Sequence, residues 1–209
     1  MVVPMSIRQP SVGSYYVLDW TTPLAAERHT LEVAYPARGK RWKAGHAFTA
    51  ANDDDELQPP VVAIEVRTST PSGRSPHVYP EYTSQPIPLM TRRLVAALEG
   101  AGVGNLQLYQ TSLIDALGAP PPPPDHYLAV NIVGRVAAAD LASSTLGGER
   151  ATSMDFHSLT IDEARARGAL LFRLAENPSA VLAHASVRAH VIGCGIDTLT
   201  WLAPAEWAG

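Results

Sequence analysis

Cysteine is almost missing from this chain. Cys194 is the only one in 209 residues, which rules out an intramolecular disulfide and suits a reducing compartment. Long apolar runs are missing as well. The first twenty residues carry Arg8, Asp19 and two prolines, so neither a secretory signal nor a membrane span is expected, and the cytoplasm is the expected location. Positive charge is in short supply: 16 Lys and Arg stand against 20 Asp and Glu, a formal net charge of -4. That balance gives no support to nucleic-acid binding, which normally shows as a basic patch or stripe.

Recognisable catalytic motifs are missing too. The histidines, His29, His46, His77, His126, His157, His184 and His190, do not show the close spacing of a zinc site, and no metal or cofactor is expected. Gly100-Ala101-Gly102-Val103-Gly104 looks like a dinucleotide loop but follows a helix and precedes a strand, the reverse of the required order. Neither a phosphate-loop lysine nor a Gly-x-Ser-x-Gly elbow occurs.

What is present is an ordinary globular composition, 46% hydrophobic and 17% charged, in a chain long enough to bury roughly 70% of its unfolded surface. It also contains a repeat. Met90 to Tyr109 reads as an amphipathic helix, a glycine stop and a strand, with Thr91 as the helix cap. His184 to Trp201 repeats that grammar at a constant offset of 93. Leu94 falls on Val187, Leu98 on Val191, Ala101 on Cys194, Gly102 on Gly195, Val103 on Ile196, Leu106 on Leu199 and Leu108 on Trp201. Each copy is expected to fold its helix against its own following strand, with Leu106 and Leu108 on one face. Cys194, matched to Ala101, is expected to be a small buried packing residue.

Elsewhere, Tyr15–Trp20, Glu27–Val33, Val61–Val66, His126–Val133 and Leu170–Leu174 read as strands, the fourth as an inner one. Arg38–Lys43 reads as a solvated turn, Ser143–Gly148 as a polar stretch, and Met154–Ile161 as a hairpin partner or surface loop. Thr160–Ala164 resembles a capped first helical turn. Residues 1–14 form a lead-in. Residues 15–209 form a single α+β domain with a mixed or mostly antiparallel sheet and two short repeated helices packed on it. A lobe boundary would fall within residues 67–88, which hold five prolines. The proline run Pro120–Pro124 reads as a rigid spacer.

Several of these stretches together resemble one family: Tyr15–Leu18, Leu94–Leu98 with Ala101-Gly102-Val103, Tyr127–Ile132, Leu171–Leu174 and the closing Val187–Leu199 unit. The Asn131 strand with Asp140 beyond it, and Phe172-Arg173-Leu174, carry the resemblance most specifically. The family is an immunity-protein family of bacterial polymorphic toxin systems, formerly an uncharacterised domain, whose name includes a myxobacterial representative. The resemblance implies a protein that binds and occludes a cognate toxin, with no catalytic residues to transfer.

For such a partner the acidic run Asp53, Asp54, Asp55 and Glu56 is the expected rim facing a basic toxin, with Tyr79 and Tyr82 as aromatic anchors. The alternatives are an enzyme whose site assembles from distant residues, such as His126 with Asp140 or Arg173, and a small-molecule-binding module.

Overall fold

The computed structural model describes residues 13–19, 29–33, 41–49, 64–68, 80–84, 87–111, 126–150 and 153–209. Strand β1 (Tyr15–Asp19) is followed by the paired β2 (His29–Val33) and β3 (Ile64–Thr68), then β4 (Tyr82–Thr83), β5 (Leu89–Thr91), helix α1 (Arg92–Gly100) and β6 (Leu106–Gln110). The chain continues through β7 (Tyr127–Ile132), β8 (Arg135–Val136), β9 (Thr145–Arg150), β10 (Ser153–Ser158), helix α2 (Glu163–Ala166), β11 (Leu171–Leu174), β12 (Val181–His184), helix α3 (Ala185–Gly193) and β13 (Thr200–Leu202). The class is α+β and the pairing is mostly antiparallel, with β11 and β8 running parallel.

The repeat seen in the sequence is a repeat of hydrogen bonds. Helix α1 starts where the Thr91 hydroxyl accepts from the Leu94 amide at 3.1 Å, and α3 where His184 Nδ1 accepts from the Ser186 amide at 3.2 Å. Both helices end on a left-handed glycine, Gly102 at φ 92° and Gly195 at φ 76°, a conformation that costs other residues more. The next amide then reaches back over the last turn, Val103 to the Leu98 carbonyl at 3.0 Å and Ile196 to the Val191 carbonyl at 3.3 Å.

The equivalence extends to the sheets. One is ordered β4-β5-β7-β6 and the other β11-β12-β1-β13, with β8 added beside β11. Thr91 faces Tyr127 as His184 faces Tyr15; Leu108 faces Val130 as Trp201 faces Leu18; Tyr82 faces Met90 as Leu171 faces Ala183. Strand β1, from near the N-terminus, therefore occupies in the second half the place that β7 occupies in the first. The second copy is circularly permuted.

Each sheet buries both faces. The inner faces meet around the helices in a shared core of Met90, Leu94, Leu98, Val103, Val130 and Ile132 with Leu18, Ala183, Val187, Val191 and Ile196. On its outer face the first sheet packs Leu89, Tyr127 and Ala129 against Ile87, Trp42 and Phe48. The second packs Tyr15, Val17, Phe172 and Leu182 against Phe156, Leu159 and Trp207. This double coverage is why β7 is buried along its whole length, as its nearly continuous apolar run predicts.

Two expectations are corrected. The helices do not lie on their following strands: α1 packs against β5 and α3, because β7 stands between β5 and β6. Leu106 and Leu108 do share a face, opposite Ile132 and Val130, with Leu106 partly buried against the core and Leu108 38% exposed on the edge strand β6. Cys194 is exposed at the end of α3, where its backbone carbonyl accepts from Arg93 of α1 at 3.3 Å. Within the polar stretch Ser143–Gly148, β9 begins at Thr145, and its partner β10 lies in the stretch read as a hairpin partner or surface loop. The lead-in 1–12 and Pro120–Pro124 lie outside the described residues.

Candidate binding cavity

Among the described residues, a cavity of about 490 Å³ opens beside β1, β4, β11 and the C-terminal segment. Its polar lining includes Asp19, Lys43, Tyr82, Ser84, Arg173, Ser179 and Glu206, and its apolar lining includes Val17, Leu18, Leu202 and Trp207. The size is that of a small-molecule site, and the mixture of apolar wall and few polar groups is what such sites use.

Arg173 sits in the middle of β11, paired in register with Val181 and Arg135, and is 1% exposed. Its Nη1 donates to the Pro178 carbonyl at 2.8 Å, while Nε and Nη2, both buried, have no hydrogen-bond partner among the described residues. The carbonyl is held by a turn in which Asn177 Nδ2 donates to the Met154 carbonyl at 2.9 Å and Asn177 Oδ1 accepts from the Ser179 amide at 3.1 Å. Burial lowers the pKa of the guanidinium, opposed by Tyr82. The group nonetheless keeps its charge in any neutral solution.

Lys43 reaches the cavity from a short 3-10 turn, Arg41–Lys43, and is half-buried rather than solvated. Trp42 anchors the turn in the core at 3% exposure. The loop after it is clamped to the first sheet: the Gly134 amide donates to the Gly45 carbonyl at 2.7 Å, Asn131 Nδ2 to the His46 carbonyl at 2.8 Å, and Gln107 Nε2 to the Phe48 carbonyl at 3.0 Å. Gly45, at φ 76°, lies so close to the Arg135 side chain that a Cβ would stand 2.5 Å from its Cγ. Burial first, and the Arg173 charge second, pull the lysine pKa down.

The opposite wall comes from the end of the chain. Gly209 exchanges backbone hydrogen bonds with Phe156 at 2.7 and 3.1 Å, which seats Trp207 at 8% exposure in the outer cluster and leaves Glu206 at the rim. Glu206 accepts from the Ala203 amide at 3.2 Å.

Of the expected partner residues, Asp53, Asp54, Asp55, Glu56 and Tyr79 lie outside the described residues. Tyr82 is described and is not a surface anchor: it is 2% exposed, paired to Met90, and forms part of the cavity wall. Two-residue β4 pins its backbone to β5, and the ring turns inward. Burial raises its phenol pKa, with Arg173 lowering it and Asp19 raising it.

The structure thus brings Tyr82 and Arg173 to one cavity. His126 and Asp140 are not part of its lining. His126 packs edge-on to Tyr127 at 4.8 Å between ring centroids. The Asp140 carboxylate holds the turn after it, accepting from the Ala142 and Ser143 amides at 3.1 and 3.3 Å. Hydrogen bonding from Ser143 above all keeps it below the usual carboxylate range.

Sequence reasoning missed Lys43 and Asp19 as cavity residues. Trp42 and Ala44, an apolar residue on each side of Lys43, would have been the only signal, and it is faint. No protein-family model matches the chain, and no curated protein matches it.

Proposed function

We propose that this chain is a toxin-neutralising immunity protein of the bacterial cytoplasm that works by stoichiometric binding and occlusion, without catalysis. The observation that supports it most is what the residues carrying the resemblance do. Leu94, Leu98, Val187 and Val191 fill the shared core, Asn131 straps the 45–48 loop to the sheet, Asp140 holds a turn, and Arg173 braces the Pro178 carbonyl. These are framework roles, suited to a scaffold that holds a recognition surface in shape. No helix among the described residues is long and apolar enough to cross a membrane.

The recognition surface we assign is the acidic run Asp53–Glu56 with Tyr79, facing a basic toxin. An interface of ordinary size would bury about 1,600 Å² in total, with charge governing encounter and aromatics supplying anchors. The test is coexpression with the toxin encoded beside it, followed by pulldown and a growth assay. Rescue with a stable complex supports the reading, and absence of both binding and rescue against neighbouring gene products removes it. Reversing the four acids should slow association and flatten its salt dependence; unchanged kinetics would take the run out of the interface.

A further inference from the structure

We propose that Lys43 is the nucleophile of a covalent site for a small apolar aldehyde, which enters the cavity beside β11 and is held there as an imine. The inference stands apart from the protein-binding proposal and needs no turnover. It begins in the sequence: Lys40 and Lys43 are the only lysines in a chain with 16 Lys and Arg. A guanidinium stays charged in any neutral solution, whereas a lysine amine becomes a nucleophile once it loses its proton.

The structure places one of those two amines at a cavity of about 490 Å³. Lys43 is carried there by the Arg41–Lys43 turn, which Trp42 fixes in the core. Among the described residues its nitrogen has neither a hydrogen bond nor an ion pair, and it is not one of the polar atoms sealed from solvent. Arg173 at the same wall differs: its Nε and Nη2 are buried beyond a ligand's reach, and it acts here only through its charge. An ammonium is poorly served in this position. Half-burial strips it of water, the neighbouring charge is the Arg173 cation, and no carboxylate is among the influences on it. Both influences favour the neutral amine, whose lone pair attacks a carbonyl carbon. A lysine kept for structure alone rests against an acid or extends its head into open water.

The step balances without a further reactant. The Lys43 nitrogen adds to the carbonyl carbon, a proton passes from nitrogen to oxygen, and loss of water from the carbinolamine leaves a C=N bond. An aldehyde is favoured over a ketone because its carbonyl carbon is less hindered and more electrophilic. Its apolar body follows from the remaining wall, where Val17, Leu18, Leu202 and Trp207 line the cavity.

The full chain is treated near neutral pH with benzaldehyde or formaldehyde and sodium cyanoborohydride, which reduces an imine to a stable secondary amine, and the adducts are located by peptide mass spectrometry. Benzaldehyde is expected on Lys43 about tenfold faster than on Lys40, through the freer amine and the local concentration that the apolar wall provides. Formaldehyde, which has no apolar body, should discriminate less. Benzyl alcohol, which can occupy the cavity but forms no imine, should slow labelling of Lys43 and leave Lys40 unchanged. Without the reductant, most of the benzaldehyde imine absorbance should disappear in Lys43→Arg and persist in Lys40→Arg; if Lys43→Arg does not fold, the ratio of the two lysines in the unaltered protein decides the point. The proposal is overturned by equal benzaldehyde labelling of Lys43 and Lys40, or by imine absorbance that survives in Lys43→Arg. It is equally overturned if acetate, rather than benzyl alcohol, protects Lys43, which would make the cavity an anion site.

Discussion

The two halves of the molecule share a plan and differ in what they leave open. In the first, the central strand carries Asn131, whose amide nitrogen donates to the His46 carbonyl and to Gln107 Oε1. In the second, Asp19 holds the matching place, opposite Thr200 as Asn131 is opposite Gln107, and it lines the cavity. Ser84 follows the short strand β4 of the first half as Arg173 extends β11 in the second. One framework, built twice from different letters, therefore sets the 45–48 loop against the central strand of one half and a charged cavity beside the central strand of the other. Backbone register is what the two halves share; their side-chain chemistry differs.

That comparison can be broken first in the core. Leu98 and Val191 are equivalent, and both are 0% exposed. Leu98→Ala should cost about 2–5 kcal/mol, and Val191→Ala, which deletes fewer carbons, about 2 kcal/mol. Denaturant midpoints measure both. If only one half lost stability, the single shared core would be refuted.

The helix caps sharpen it further. Thr91 caps α1 and its hydroxyl also bonds Glu81, while His184 caps α3 and packs edge-on to Tyr15 at 5.3 Å. Thr91→Ala and His184→Ala should each cost about 1 kcal/mol in thermal unfolding. His184→Thr should recover most of its loss, because threonine already performs that task at the matching position.

A smaller effect belongs to the N-terminal join of the second half. The Ser14 amide donates to Glu163 Oε1 at 2.9 Å, and that hydrogen bond lowers the carboxyl pKa. A lowered carboxyl contributes stability that is present above its ordinary range, near pH 4.3, and fades as pH falls through the lowered value. Glu163→Gln should accordingly show less loss of stability on acidification below about pH 5 than the unaltered chain. The group is almost fully exposed, so the difference is slight. Smallest of all, Cys194→Ala should stay within about 0.5 kcal/mol, and the native thiol should react readily with a disulfide reagent. A thiol that reacts only after unfolding would return it to the core.

The repeat was legible in the sequence because helix caps, glycine stops and apolar spacing are local, and Leu94, Leu98 and Gly102 each announce their place within one turn. The permuted strand was not legible. Tyr15-Tyr16-Val17-Leu18 reads as a strand, but nothing in four apolar residues says that its neighbours are β12 and β13 at the far end of the chain. Cys194 was misread because equivalence to Ala101 fixes the backbone position and leaves exposure to the surroundings. Tyr82 looked like a surface anchor among prolines, whereas pairing of β4 with β5 turns it inward. The cavity depends on residues from five separated stretches, a convergence no spacing rule detects.

The position of β1 also constrains how the molecule can be made. On the ribosome, Tyr15–Asp19 emerges before the other described strands, yet its partners β12 and β13 follow all the rest. The first half holds its own four strands and can begin to order while translation continues; the second must wait, with β1 unpaired, until β12 and β13 have emerged.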